Sequence, residues 1–127
     1  MVAEMSAPRL NLILLRVADI DRAAAFYELL GFKFVKHAHG SGPQHFSAEV
    51  NGVAFELYPA TPEQGISASA RIGFAVDEID VLVAQIAEFP GAKIVSAPRD
   101  SEWGRRAVIA DPDGHRVELT YSSFDVH

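Results

Sequence analysis

One repeat constrains this chain more than any other feature. Ile20-Asp21 recurs as Ile79-Asp80, the set Gly31, Lys33 and Val35 recurs as Gly91, Lys93 and Val95, and Gly52, Glu56 and Leu57 recur as Gly114, Glu118 and Leu119. The matches keep their order, and their separations drift only by small amounts that fall in loops. A duplicated supersecondary unit leaves such a series behind, so the fold must be built from two copies of one unit.

The unit can be read from local signals. Residues 10–17 alternate as a strand. Asp19 is placed to cap a helix, the spacing of Ile20, Ala23, Ala24, Tyr27 and Leu30 is helical, and Gly31 stands where a residue of positive φ ends it. A strand over 32–37 follows, then a loop around Gly40, Gly42 and Pro43, and a strand over 44–50. Asn51-Gly52 is the sequence of a tight type I′ turn, which returns the chain as a strand over 53–58. This order is βαβββ.

Residues 59–70, with two prolines and a glycine, read as a connector. The order then repeats: a strand over 71–76, a helix capped by Asp77 and running to about Phe89, the stop Pro90-Gly91 and a strand over 92–96. A loop carrying Pro98 and Trp103 leads to a strand over 105–110, the turn Asp111-Pro112-Asp113-Gly114 and a last strand over 115–121. The prediction is an α+β fold in one domain, with units at 10–58 and 71–121. Its curved, mixed and mostly antiparallel sheet would surround a cleft, with the helices outside.

Composition sets limits on function. With 127 residues, 49% apolar and 22% charged, the chain has enough apolar mass for one real core. It has no cysteine, which removes disulfides, thiolate metal sites and thiol nucleophiles and suits a reducing compartment. A net charge of -6 with no basic block argues against nucleic acid and anionic membranes as partners. No apolar run is long enough to span a bilayer and residues 1–8 lack a signal-peptide pattern, so the expected location is the cytoplasm. A small organic molecule is the expected partner.

Strand alternation nominates a site. If Phe55, Leu57, Val117 and Leu119 cover the helices, Glu56 and Glu118 turn to the opposite face, at equivalent places in the two units. Leu12 and Arg71 are likewise equivalent and face the same way. Leu14, Tyr58 and His45 share that face, and His45 is a candidate ligand-binding group or general base. His37 and His39, at i and i+2, invite a metal reading, against the plainer one of a strand end and its polar loop. Trp103, in a loop with Glu102, Gly104, Arg105 and Arg106, reads either as a lid or as a ring packed on the sheet edge. Phe26 and Tyr27 read as core, and His115 and the Asp-Pro-Asp-Gly turn as structural.

The segments Arg16-Val17-Ala18-Asp19-Ile20-Asp21, Ala25-Phe26-Tyr27, Leu30-Gly31-Phe32, Phe55-Glu56-Leu57, Ile72-Gly73-Phe74-Ala75-Val76-Asp77 and Asp111 to Leu119 resemble the vicinal oxygen chelate superfamily. That family includes glyoxalase I, extradiol dioxygenases, fosfomycin-modifying enzymes and bleomycin resistance proteins. In its metal-dependent members the first strand of each unit commonly supplies a histidine and the last strands supply carboxylates. Here the matching positions hold Leu12 and Arg71, while Glu56 and Glu118 are kept. Leucine has no lone pair to give and neither does a guanidinium, so the resemblance implies a dismantled metal site in which Arg71 pairs with a glutamate.

The resulting expectation is a homodimer that binds a small molecule without a cofactor, its pocket lined by Leu12, Leu14, His45, Glu56, Tyr58, Arg71, Trp103 and Glu118. One alternative is a lyase or dioxygenase using Zn, Ni, Mn or Fe at Glu56 and Glu118, with Glu56, Glu118 and His45 as candidate catalytic residues. Another is a non-catalytic assembly domain.

Overall fold

The computed structural model describes residues 7–121. Residues 1–6, part of the stretch read for a leader, lie outside the described residues. The elements are β1 (Leu12–Val17), α1 (Ile20–Glu28), β2 (Val35–His37), β3 (His45–Val50), β4 (Val53–Pro59), β5 (Arg71–Ala75), α2 (Ile79–Ala87), β6 (Lys93–Ser101), β7 (Gly104–Ala110) and β8 (Arg116–Tyr121). They form two four-stranded sheets of identical topology, β1-β4-β3-β2 and β5-β8-β7-β6. In each, the first strand runs parallel to the last and the other pairings are antiparallel. The α+β fold of tandem βαβββ units is present.

Local chemistry accounts for most boundaries. Asp19 Oδ1 accepts from the backbone N–H groups of Asp21 and Arg22 and caps α1. Asn51 and Gly52, at φ 53° and 82°, make the turn between β3 and β4. In the second helix the cap is Glu78 rather than Asp77, and its side chain makes no capping bond. The strand expected over 32–37 is shortened to Val35–His37 because Phe32 and Phe34 leave the ladder for an aromatic cluster on Phe55, with ring centres 5.0 and 5.9 Å from it.

The expected loop at Pro98 is instead the continuation of β6. Two register shifts, between Ile94 and Ser96 and between Ser96 and Arg99, accommodate the proline in this edge strand, where a missing N–H is tolerated.

One core serves both units. Leu15, Val17, Phe26, Tyr27, Phe55 and Leu57 of the first join Ile79, Ile86, Ile109, Val117 and Leu119 of the second, all nearly inaccessible. Ring contacts cross the seam on the helix-bearing side: Phe26 to Phe89 at 5.4 Å, Phe32 to Phe74 at 5.4 Å and Phe55 to Phe74 at 6.1 Å. The units therefore meet through the faces that carry Phe55 and Phe74. The opposite sheet faces, where alternation places Glu56 and Glu118, are left free of this core.

Candidate functional site

On the first sheet a single row of side chains crosses all four strands. His37 of β2 lies opposite His45 of β3. His45 follows the Phe46–Leu57 pair and stacks on Tyr58 of β4, with ring centres 4.2 Å apart and planes 7° from parallel. Arg16 of β1, opposite Tyr58, sets its guanidinium 5.1 Å from that ring and donates to the Pro59 carbonyl at 3.2 Å. His45 is 3% exposed, and its Nδ1 is 3.3 Å from the Pro43 carbonyl. A carbonyl only accepts, so Nδ1 is the donor in this contact, and Nε2 has no hydrogen-bond partner among the described residues. The next row holds Ser47, Glu56 and Leu14 in register.

On the second sheet Glu118 is held between two arginines. Arg71 Nε donates to Oε2, while Arg106 Nη2 and Nε donate to Oε1 at 2.6 and 3.2 Å. These guanidiniums, Arg106 first and then Arg71, hold the Glu118 carboxyl below the usual glutamate range. Arg71 stays half-exposed. Trp103 stands at the tip of the β6–β7 hairpin, 72% exposed; the hairpin closes through Ser101 Oγ, which donates to the Gly104 carbonyl at 2.6 Å. It neither packs on a sheet edge nor covers an opening in the isolated chain.

The nominated residues thus fall in two groups. Leu12, Leu14, His45, Glu56 and Tyr58 lie on the first sheet, and Arg71 and Glu118 on the second, with Trp103 on its hairpin. The structure brings His45 to Tyr58 and Arg71 to Glu118. No hydrogen bond or ion pair joins the two groups among the described residues. Grooves of about 310 to 410 Å³ lie along the seam at Phe32 and Phe74, beside α2, and at Arg9 and Asn51.

Two participants escaped sequence reasoning. Arg106 faces Thr120, diagonal to Glu118, and only the β7–β8 register reveals it. The other is a buried relay around Asp111. Its Oδ2 accepts from the Tyr27 hydroxyl at 2.6 Å and from His115 Nδ1 at 2.8 Å, and its Oδ1 accepts the N–H groups of Asp113 and His115. His115 Nε2 then meets Ser67 Oγ at 3.1 Å, and Ser67 Oγ accepts from Arg16 N at 3.0 Å. Burial favours the neutral acid at Asp111, but the hydrogen bonds from His115 and Tyr27 outweigh it and lower the pKa; Tyr27 is pushed up by its burial and then by the charge of Asp111. Ser67, His115 and Asp111 have the order of a nucleophile relay, yet His115 and Asp111 are sealed from solvent and the serine is tied to backbone. It is a lock between the units.

Asp111, Asp113 and His115 also bring three metal-ligand groups within 4.8 Å of one another. The lone pairs of Asp111 and His115 are already committed, leaving only Asp113 Oδ2 without a partner, so this cluster has too few free donors for an ion. At the positions where metal-dependent relatives place their ligands, the donor set fits an ion poorly as well. Leu12 and Arg71 have no lone pair, and both oxygens of Glu118 are taken by guanidiniums.

Comparison with known proteins places this architecture. Residues 9–119 match the model of the Glyoxalase/Bleomycin resistance protein/Dioxygenase superfamily. An uncharacterized protein of Mycolicibacterium smegmatis is 32% identical over 112 residues, covering 87% of this chain and 91% of that one. The metallothiol transferase FosB of Lysinibacillus sphaericus is 28% identical over 121 residues, covering 91% and 83%. Among solved structures, TnmS3, an antibiotic binding protein of a Streptomyces species, superposes with a TM-score of 0.70 at 26% identity, covering 94% of this chain and all of that one. With the repeat, the two equivalent sheets and a family match spanning nearly the whole chain, this protein belongs to the glyoxalase/bleomycin resistance protein/dioxygenase superfamily.

Proposed function

We propose that this chain binds a small organic molecule on its free sheet faces, with no metal at the family's ligand positions, and that a second copy of the chain closes the site. The observation that supports this reading is Glu118, whose charge is met by Arg71 and Arg106 rather than left for an ion. An unpaired carboxylate on a face about to be covered would be costly, and the guanidiniums remove that cost. Leu12, Leu14 and Tyr58 on one face, with a few charged groups on the other, suit an aromatic or peptide-like ligand. The antibiotic-binding description of TnmS3 agrees with a ligand of that kind.

The second copy follows from exposed apolar surface. Leu12 and Leu14 on the first face and Val95 on the second sheet are 49%, 37% and 48% exposed. Edge strands and apolar faces of this kind are commonly covered by a symmetric partner. A chain without cysteine would work in the reducing cytoplasm.

Thermal melting with bleomycin and a panel of aromatic antibiotics, with EDTA and with added Mn, Zn, Ni or Fe, tests the reading. It predicts a rise in Tm with at least one compound that survives EDTA and shrinks in Arg71→Ala. No rise with any compound would favour the assembly-domain reading. A rise that needs metal and disappears in Glu118→Gln would favour a metal-dependent lyase or dioxygenase that uses Glu56 and Glu118.

A further inference from the structure

The three histidines at one end of the first sheet have no part in that reading. His37 and His45 form a cross-strand pair with ring centres 5.7 Å apart. His39 completes a triangle, 5.8 Å from His37 and 5.4 Å from His45. We infer that His37, His39 and His45 form a binding site for a late first-row divalent ion such as Zn, Ni, Co or Cu, separate from the position the family uses.

The dimensions support this. A metal–nitrogen bond of about 2.1 Å places an ion roughly 3.2 Å from the centre of each imidazole it binds, so three rings in tetrahedral arrangement have centres about 5 Å apart. The observed triangle is only slightly wider. Cross-strand placement supplies two rings on one face, and the loop that follows β2 brings the His39 ring to 5.4 Å from His45. His45 is prepared as a ligand: its ring is wedged against Tyr58, and Nδ1 donates to the Pro43 carbonyl while Nε2 has no partner among the described residues, the support metal-bound histidines usually have.

The present arrangement is open rather than closed. The rings of His37 and His39 lie nearly parallel, 9° apart, and the nitrogens of the three histidines do not all come within 4.8 Å of one another, so the two exposed rings must turn before an ion is held. Both residues are exposed, and neither ring takes part in a hydrogen bond among the described residues, so turning them toward His45 breaks no contact stronger than loose stacking. Three imidazoles without a carboxylate select borderline ions over Mg or Ca. The fourth position of a three-histidine ion remains for water or a ligand. The Arg16 guanidinium lies over the Tyr58 ring, which in turn stacks on His45.

The test is calorimetric titration of the untagged, full chain with Zn, and separately the visible absorption of bound Co, which reports tetrahedral coordination. Wild type should take up one ion per chain with the tetrahedral Co spectrum. His37→Ala and His39→Ala, both at exposed positions, should each weaken binding by at least about tenfold, and Glu118→Gln should bind as wild type does. Absence of binding, or binding unchanged in the double variant of His37 and His39, overturns the inference. So does binding lost in Glu118→Gln, which would assign the ion to the family's position instead. Failure here leaves the small-molecule reading standing, because that reading rests on Arg71, Glu118 and the apolar faces.

Discussion

Tyr27 donates a hydrogen bond of 2.6 Å to Asp111, joining the first helix to the turn before the last strand across 84 residues of sequence. Neither the hydroxyl nor the carboxylate reaches solvent, and the same carboxylate organises its own turn through His115 and Asp113. The bond therefore connects the two halves of the repeat at a point where water cannot substitute. Tyr27→Phe should lower stability by about 1–2 kcal/mol, while Asp111→Ala, which orphans several buried donors, should cost at least about 3 kcal/mol. Urea denaturation checks both. Equal, negligible costs would mean the relay is not the lock described.

Acid should weaken the fold through two carboxyls. Asp111 and Glu118 are both held below their ordinary values, Asp111 by hydrogen bonds that outweigh its burial and Glu118 by Arg106 and Arg71. A depressed folded pKa adds stability that is complete above the unfolded value and is lost as pH falls through the folded one. Tm should thus be flat near neutrality and fall below about pH 4. Glu118→Gln should make that fall shallower, since its share no longer titrates. An identical acid slope in the variant would show that Glu118 contributes nothing to it.

The apolar face of β1 supplies a test of assembly. Leu14 is 37% exposed and stands opposite Glu56 in the ladder, with no packing partner required by the monomer's core. Leu14→Arg should leave the far-ultraviolet circular dichroism and the core intact while halving the mass in solution. Light scattering after size exclusion reads this directly, and a wild-type chain that is already monomeric would refute the shared site.

Trp103 is the single tryptophan of the chain and stands 72% exposed. Its removal by Trp103→Ala should change stability by no more than about 0.5 kcal/mol. Its fluorescence should be that of a ring in water for the dissociated chain, and should shift to the blue on dimerisation or ligand binding if the hairpin closes over the shared face. Emission indifferent to concentration and ligand would place Trp103 outside the site.

What the sequence determined by itself was the local and the periodic. The Asp19 cap, the Asn51-Gly52 turn and the alternation that turns Glu56 and Glu118 away from the helices depend on neighbours a few residues apart, where covalent geometry dominates, and the repeat shows as the same local pattern written twice. β6 runs on through Pro98, a breaker in isolation that only its position at a sheet edge makes acceptable. Tertiary structure alone decided the rest: that the halves join through Phe55 and Phe74, that Arg106 shares Glu118 with Arg71, that Ser67, His115, Asp111 and Tyr27 form one relay, and that three histidine rings make a triangle. These contacts depend on strand register and on how two sheets pack. Many different distant pairings satisfy the same local pattern, and the shared core selects among them.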